Sequence, residues 1–227
     1  RSVSIFGSKA LAWVSIGQDI KIVKDVTLAA ISIFGVLIAI FVGTSLVYKE
    51  IDKRTLYTIL AQPMHRYEFI LGKYFGLAGL LAVVTVIMTG LSAVYTLILG
   101  GALDATWFLA VLLIFWKLLL ITALAILMST LSSPILGALI VFSAYVFGHA
   151  TGVFKELPPQ FDGTFAQKAL ETAYYVIPNL SNFDIRMEAA NDVPINPAFV
   201  AYVLVYGTAY TVVLLILAAV AFEGKDV

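Results

Sequence analysis

The chain has 227 residues, of which 61% are hydrophobic and 12% charged, whereas soluble domains run at about half apolar and a quarter charged. Fourteen basic and fourteen acidic residues cancel to a formal net charge of +0, so there is no basic surface to hold nucleic acid and no acidic tail. The lack of cysteine excludes disulfides, thiolate nucleophiles and a zinc ribbon, and the remaining composition is that of a membrane protein.

Inside lipid every backbone amide is paired within its own segment, so a long uncharged apolar run reads as a spanning helix. Residues 1–24 mix Gly, Ser, Lys9, Asp19, Lys21 and Lys24 with short apolar runs and are expected to form a non-spanning lead-in. They show no signal-peptide pattern, and the start at Arg1 leads us to expect a further segment upstream. The first span is expected over 25–48, closed by Lys49, Glu50, Asp52, Lys53 and Arg54. A charged segment follows at 49–73, then a second span at 74–100 ending in Gly100 and Gly101 before Asp104. The apolar stretch from Ala105 to Phe154 is too long for one crossing. It is divided at Ser129-Thr130-Leu131-Ser132-Ser133-Pro134, because small hydroxyl residues compete for backbone bonds and proline suits the first turn of a helix. That gives spans at 106–130 and 134–154. Residues 155–197 are rich in acids and prolines and form an extramembrane segment, in which Ala166, Ala169, Leu170, Ala173, Tyr174 and Ile177 recur at helical spacing before Pro178. A last span at 198–222 follows Pro197, and 223–227 form a polar tail. The fold expected is an all-α integral membrane bundle with five spans visible.

Basic residues near span ends stay in the cytoplasm. Lys49, Lys53, Arg54, Arg66 and Lys73 make the 49–73 segment the cytoplasmic one, against Lys155, Lys168 and Arg186 over the longer 155–197 stretch. Lys21 and Lys24 at the other end of the first span vote the opposite way. With 49–73 inside, the N-terminus lies outside and the C-terminal tail inside, so a cytoplasmic N-terminus requires one more span, six in all.

Within 49–73, Leu56, Ile59 and Leu60, with Ile51, fall on one face of a helix that Pro63 ends, and Glu50 with Arg54 is a favourable i, i+4 pair. Such a helix lies flat beneath a bundle; a solvated loop with snorkelling bases is the plainer alternative. The run from Gly43 through Tyr48-Lys49-Glu50-Ile51-Asp52-Lys53-Arg54-Thr55-Leu56-Tyr57, then Gln62-Pro63, Arg66, Glu68-Phe69 and Leu71-Gly72-Lys73, closely resembles the ABC type 2 permease family. The likeness extends to Ser129–Pro134, Gly148-His149, Tyr174-Tyr175 through Pro178-Asn179-Leu180 to Phe183, and the last span with its Phe222–Asp226 tail. The resemblance implies a multi-pass cell-membrane permease subunit of an ATP-binding cassette transporter, with export the direction expected, partnered by a separate ABC ATPase and a second permease subunit, identical or different. The resemblance also implies that Lys49, Glu50, Asp52, Lys53, Arg54, Thr55, Leu56, Tyr57, Ile59, Leu60, Pro63 and Arg66 form a coupling helix that docks into the ATPase. No catalysis is expected here, since no G-x-x-x-x-G-K-[ST] cradle for phosphates is encoded. The chain would carry no cofactor, ATP and Mg being bound by the partner.

Lys117 falls near the middle of a span, where a charge costs about 2.5–3.5 kcal/mol on insertion scales, so it should face protein or a water-filled path. It is a candidate for the substrate path or an intramembrane ion pair, with interfacial snorkelling as the alternative. His65 and His149 lie apart, without H-E-x-x-H spacing or a third ligand, and no metal site is expected. Gly35, Gly43, Gly72, Gly76 and Gly79 are candidates for close helix approach, and Trp13, Trp107 and Tyr206 for interfacial anchors. Two other function classes remain: an ATPase-independent scaffold or channel, and, more remotely, an intramembrane protease, for which paired intramembrane aspartates and a G-x-S-x-G turn are both missing.

Overall fold

The structure, a computed structural model, describes residues 2–48, 66–154 and 177–223, with side chains at 19–48, 67–150 and 177–223. In chain order the elements are α1 (Ser2–Leu46), α2 (Arg66–Ile98), α3 (Ala105–Leu131), α4 (Pro134–Phe154), a 3-10 turn (Ser181–Phe183), α5 (Arg186–Ala190) and α6 (Pro197–Glu223). Stretches long and apolar enough to cross a membrane lie in four of them, at Asp19–Leu46, Tyr67–Ile98, Ala105–Leu131 and Pro197–Glu223, and α4 contributes a shorter apolar helix at Pro134–Ala150.

Two boundaries differ from the sequence reading. The backbone of α1 is helical from Ser2, through the stretch expected to be a lead-in, because lysine is a good helix former and no proline interrupts it. Helix α2 starts at Arg66 rather than at 74, so the amphipathic turns before Lys73 are the beginning of the span itself. The breaks between helices fall where local chemistry places them. Gly100 takes φ +79°, a left-handed conformation that glycine adopts without steric cost. Asp104 then caps α3, its carboxylate accepting from Thr106 N at 3.2 Å. At the other end Ser132 closes α3 by donating its N–H to the Met128 carbonyl, and Pro134 opens α4.

These turns define two ends of the bundle. At the Gly100 end α2 passes into α3; at the Ser132 end α3 passes into α4, α1 leaves and α2 enters. Helix α3 is the centre: 61% of its apolar window is buried, against 22% for the windows of α2 and α6, so the latter two present broad faces to lipid. The seam between α1 and α3 is close because glycine permits it. A Cβ at Gly35 would stand 2.5 Å from Leu118 Cδ1, and one at Gly43 would stand 2.7 Å from the Ala125 Cβ; small residues let helices meet in lipid, where no hydrophobic force drives them together. Gly72, Gly76 and Gly79 have no atom that close and play no such part.

The stretch 177–196, expected to lie outside the membrane, folds back between the helices. Leu180, Phe183, Ile185 and Ala189 are buried in the main core. Leu180 N donates to the Gly148 carbonyl of α4 at 2.9 Å, Asn179 N donates to Tyr206 Oη at 2.8 Å, and the Phe183 ring reaches Gly207. Gly207 lies about 15 Å along α6 from Pro197 at 1.5 Å per residue. Protein surrounds this irregular backbone and partners two of its amides, from Leu180 and Asn179. Tyr206, expected as an interfacial anchor, holds this segment, and Trp107 is fully buried; the Trp13 side chain lies outside the described residues.

Candidate functional site

Two apolar-lined depressions open on the flank of the bundle. One, of about 520 Å³, runs between α1 and α4 past Leu37, Phe41, Pro134, Ala138 and Phe142; the other, of about 230 Å³, lies between α1 and α2 beside Thr27, Ser92 and Tyr95. Neither is lined by a charged side chain, so the polar chemistry of the described bundle is concentrated elsewhere, around two buried lysines and the re-entrant segment.

The first lysine, Lys117, lies about 18 Å along α3 from Ala105 and is 1% exposed. Its hydrogen-bond partner is a hydroxyl, Ser32 Oγ of α1 at 2.8 Å, and its ammonium stands 6.0 Å from the centre of the Tyr145 ring of α4, at the outer limit of a cation–π contact. The His149 ring lies against the same tyrosine, tilted by 54° with centroids 4.4 Å apart, and its Nδ1 is 3.0 Å from the Tyr145 carbonyl. The re-entrant segment brings the balancing charge. Arg186 grips Asp184 with both ends of its guanidinium, Nε to Oδ1 at 2.6 Å and Nη2 to Oδ2 at 2.7 Å, the bidentate geometry that makes such pairs strong. Burial pushes the Asp184 carboxyl up, but the Arg186 hydrogen bond and the charges of Lys117 and Arg186 outweigh it and hold the carboxyl below the ordinary aspartate range. Arg186 is pushed up in turn, first by its hydrogen bond to Asp184, and the charge of Asp25 on α1 adds to this.

The second lysine, Lys24, went unremarked in the sequence except as a flanking charge. It is 2% exposed, 2.5 Å from Asp192 Oδ1 and 3.6 Å from Asp104 Oδ1, so it joins α1, the cap of α3 and the turn that follows α5. Two further bonds tie the same turn: Lys21 Nζ donates to Asn191 Oδ1 at 3.2 Å, and Thr106 Oγ1 donates to the Val193 carbonyl at 3.1 Å. No spacing rule exposes this cluster in the sequence, because Lys24 and Asp192 are 168 positions apart.

The proposed docking residues Lys49, Glu50, Asp52, Lys53, Arg54, Thr55, Leu56, Tyr57, Ile59, Leu60 and Pro63 lie outside the described residues, as do His65 and the helical pattern at 166–176. Arg66 is the first residue of α2. The structure does fix how the chain leaves and re-enters around them. Val47 N and Tyr48 N both donate to Ser129 Oγ of α3, at 3.1 and 3.0 Å, which seats the exit of α1. On the returning side, Phe69 of α2 stacks on Phe222 of α6 at 5.4 Å.

The sequence profile described as ABC-2 family transporter protein matches residues 7–227, which is nearly the whole bundle. The chain belongs to the ABC-2 transporter family. It is therefore an all-α, multi-pass membrane component of that transporter family. Neither a curated protein nor a solved structure matches it.

Proposed function

We propose that the chain is the permease subunit of an ATP-driven exporter, moved by a separate ABC ATPase that docks on the coupling helix Lys49–Pro63 with Arg66. The observation that carries this reading is the family match over residues 7–227; these residues hold no phosphate-cradling G-x-x-x-x-G-K-[ST], which supports an energy source outside this bundle. The geometry supports a mechanical role for the short charged segment. It leaves and returns at one end of the bundle, between an α1 seated on Ser129 and an α2 stacked on Phe222. A displacement of that segment is passed to packed helices, which move as units.

The Ser132 end is the cytoplasmic one in this reading. Of the two opposing charges, Lys24 is buried against Asp192 and Asp104, while Lys21 stays exposed and donates to Asn191 at the surface; the basic run from Lys49 to Lys73 supports the assignment. The interior of one copy is filled around α3, with Lys117 1% exposed, so the substrate path forms against a second permease subunit, identical or different. Lys117 holds α1 on α3 beside that path, and ATP and Mg reside in the ATPase.

The test is purification of the full-length protein with its chromosomal neighbours co-expressed. A stoichiometric ATPase that is lost when Glu50→Arg and Arg54→Glu are introduced together supports the reading. A full-length protein that binds no ATPase overturns it and leaves an independent scaffold or channel. With the complex in hand, ligands that stimulate its ATP hydrolysis identify the substrate, and ATP-driven accumulation of such a ligand in inside-out vesicles establishes export.

A further inference from the structure

The turn that carries Asp192 is held to the bundle by a lysine with a second carboxylate beside it. Lys24 Nζ lies 2.5 Å from Asp192 Oδ1 and 3.6 Å from Asp104 Oδ1. Asp104 Oδ1 is buried and accepts no hydrogen bond in the structure, while its other oxygen caps α3 through Thr106 N. Asp192 takes φ +56°, a left-handed conformation that an aspartate tolerates at some cost, and its side chain is 55% exposed against 2% for Lys24. The acid that now holds the lysine is thus exposed and sits on a strained turn, whereas the acid that waits is half-buried, 29% exposed with its free oxygen enclosed, at the capped end of a helix.

We propose that Lys24 is a two-position catch for the re-entrant segment. In the structure described it bonds to Asp192 and fastens the segment; when the turn lifts away, the ammonium closes the remaining distance to Asp104 and stays paired. The exchange removes the penalty that would otherwise oppose release, since a lysine stripped of its partner inside a bundle is strongly disfavoured. It also ties the position of the segment to α1, the helix that leads into residues 49–65. Lys24 and Asp104 are positioning residues in this scheme, acting on transport through the segment they hold. The catch does not depend on the ATPase reading, because it is a property of the resting chain.

None of these 227 residues is cysteine, so a cysteine introduced among them is read against the parent protein as background. Ala189 of α5 is 0% exposed, so Ala189→Cys reports opening of the segment through its rate of reaction with a maleimide, measured on the full-length protein in lipid nanodiscs without nucleotide. Asp192→Asn keeps a residue suited to positive φ and removes the fastening charge; labelling should speed up about tenfold. Asp104→Asn keeps the helix cap and removes the waiting charge; labelling should slow by about tenfold. Lys24→Arg should preserve the original rate. A purely structural role for the cluster would shift both asparagine variants in the same direction, and that result, or a change under about twofold in either, overturns the proposal. If Asp104→Asn does not accumulate as a folded protein, Asp104→Ser, also a good cap, takes its place. Binding of an ATPase to the same preparations is scored separately, so failure of the catch and failure of the docking reading are distinguishable.

Discussion

The two ends of the bundle are held together by different physics. Towards the Ser132 end, α1 meets α3 at Gly43 against Ala125, and Phe69 stacks on Phe222: shape fits shape, and Ser129 accepts from Val47 N and Tyr48 N across the seam. At the Gly100 end, lysines, aspartates and an arginine join α1, α3 and the re-entrant segment. Close packing is specific and hard to rearrange, because a shift of a fraction of an ångström forfeits contact or creates overlap. Ion pairs and hydrogen bonds can change partners at similar energy. The contrast teaches that the Ser132 end transmits motion as a solid, while the Gly100 end is where the molecule can change its connections.

The largest effect should come from spoiling the packed end. Gly43→Leu drives a side chain into the Ala125 Cβ and should destabilise by about 3 kcal/mol, the upper part of the range for overpacking, in equilibrium unfolding in mixed micelles. Gly72→Leu, with nothing within 4 Å, is the control and should be close to neutral. Next in size is Arg186→Met, which removes both bonds to Asp184 and leaves that half-buried carboxylate facing Lys117 alone. A loss of about 2 kcal/mol is expected, in line with charge-assisted hydrogen bonds, and it should appear as faster hydrogen exchange across 178–192 rather than across α2. Ser129→Ala strips the acceptor from Val47 N and Tyr48 N and should cost about 1 kcal/mol, read as faster exchange at those two amides. A cost spread evenly over both ends in these three variants would erase the distinction drawn above.

The spans were readable from sequence because lipid leaves the backbone no alternative to helix, so Ser132 with Pro134 and the Gly100-Gly101 pair mark breaks by local chemistry alone. The re-entrant segment was not readable. Leu180, Phe183, Ile185 and Ala189 are too few and too dispersed among Asn, Asp and Pro to announce burial, and the contacts of Leu180 with Gly148 and of Phe183 with Gly207 join parts of the chain far apart in sequence. Lys117 was legible as a residue that must face protein, since its charge stands in an apolar run. Lys24 was not, because a lysine near a span end looks the same whether it snorkels to water or meets acids from distant parts of the chain. The docking helix is an expectation from family resemblance, and its residues from Lys49 to Pro63 lie outside the described residues.

The smallest expected effect is one of pH, and it sharpens the polar side of the comparison. The Asp184 carboxyl titrates below its ordinary value, so the structure binds fewer protons there than the unfolded chain does. Its contribution is complete above the ordinary aspartate pKa of about 4 and falls away as the pH drops through the lowered value. Hydrogen exchange over 181–190, corrected for its intrinsic acid dependence, should therefore loosen at the acid extreme before exchange in α3 does. Arg186→Met should move that loosening towards higher pH, since the hydrogen bond that depresses the carboxyl is gone.

The 168 positions that separate Lys24 from Asp192 also impose an order on biogenesis. At roughly 5–20 residues per second on the ribosome, the lysine waits on the order of 8–34 s between its own synthesis and that of the aspartate. Asp104 is made about halfway through that interval, and from then on its carboxylate is within reach of the lysine. The nascent bundle is thus able to shelter a cation at its far rim before the closing piece exists, and the last third of the chain arrives to a site already charged and waiting.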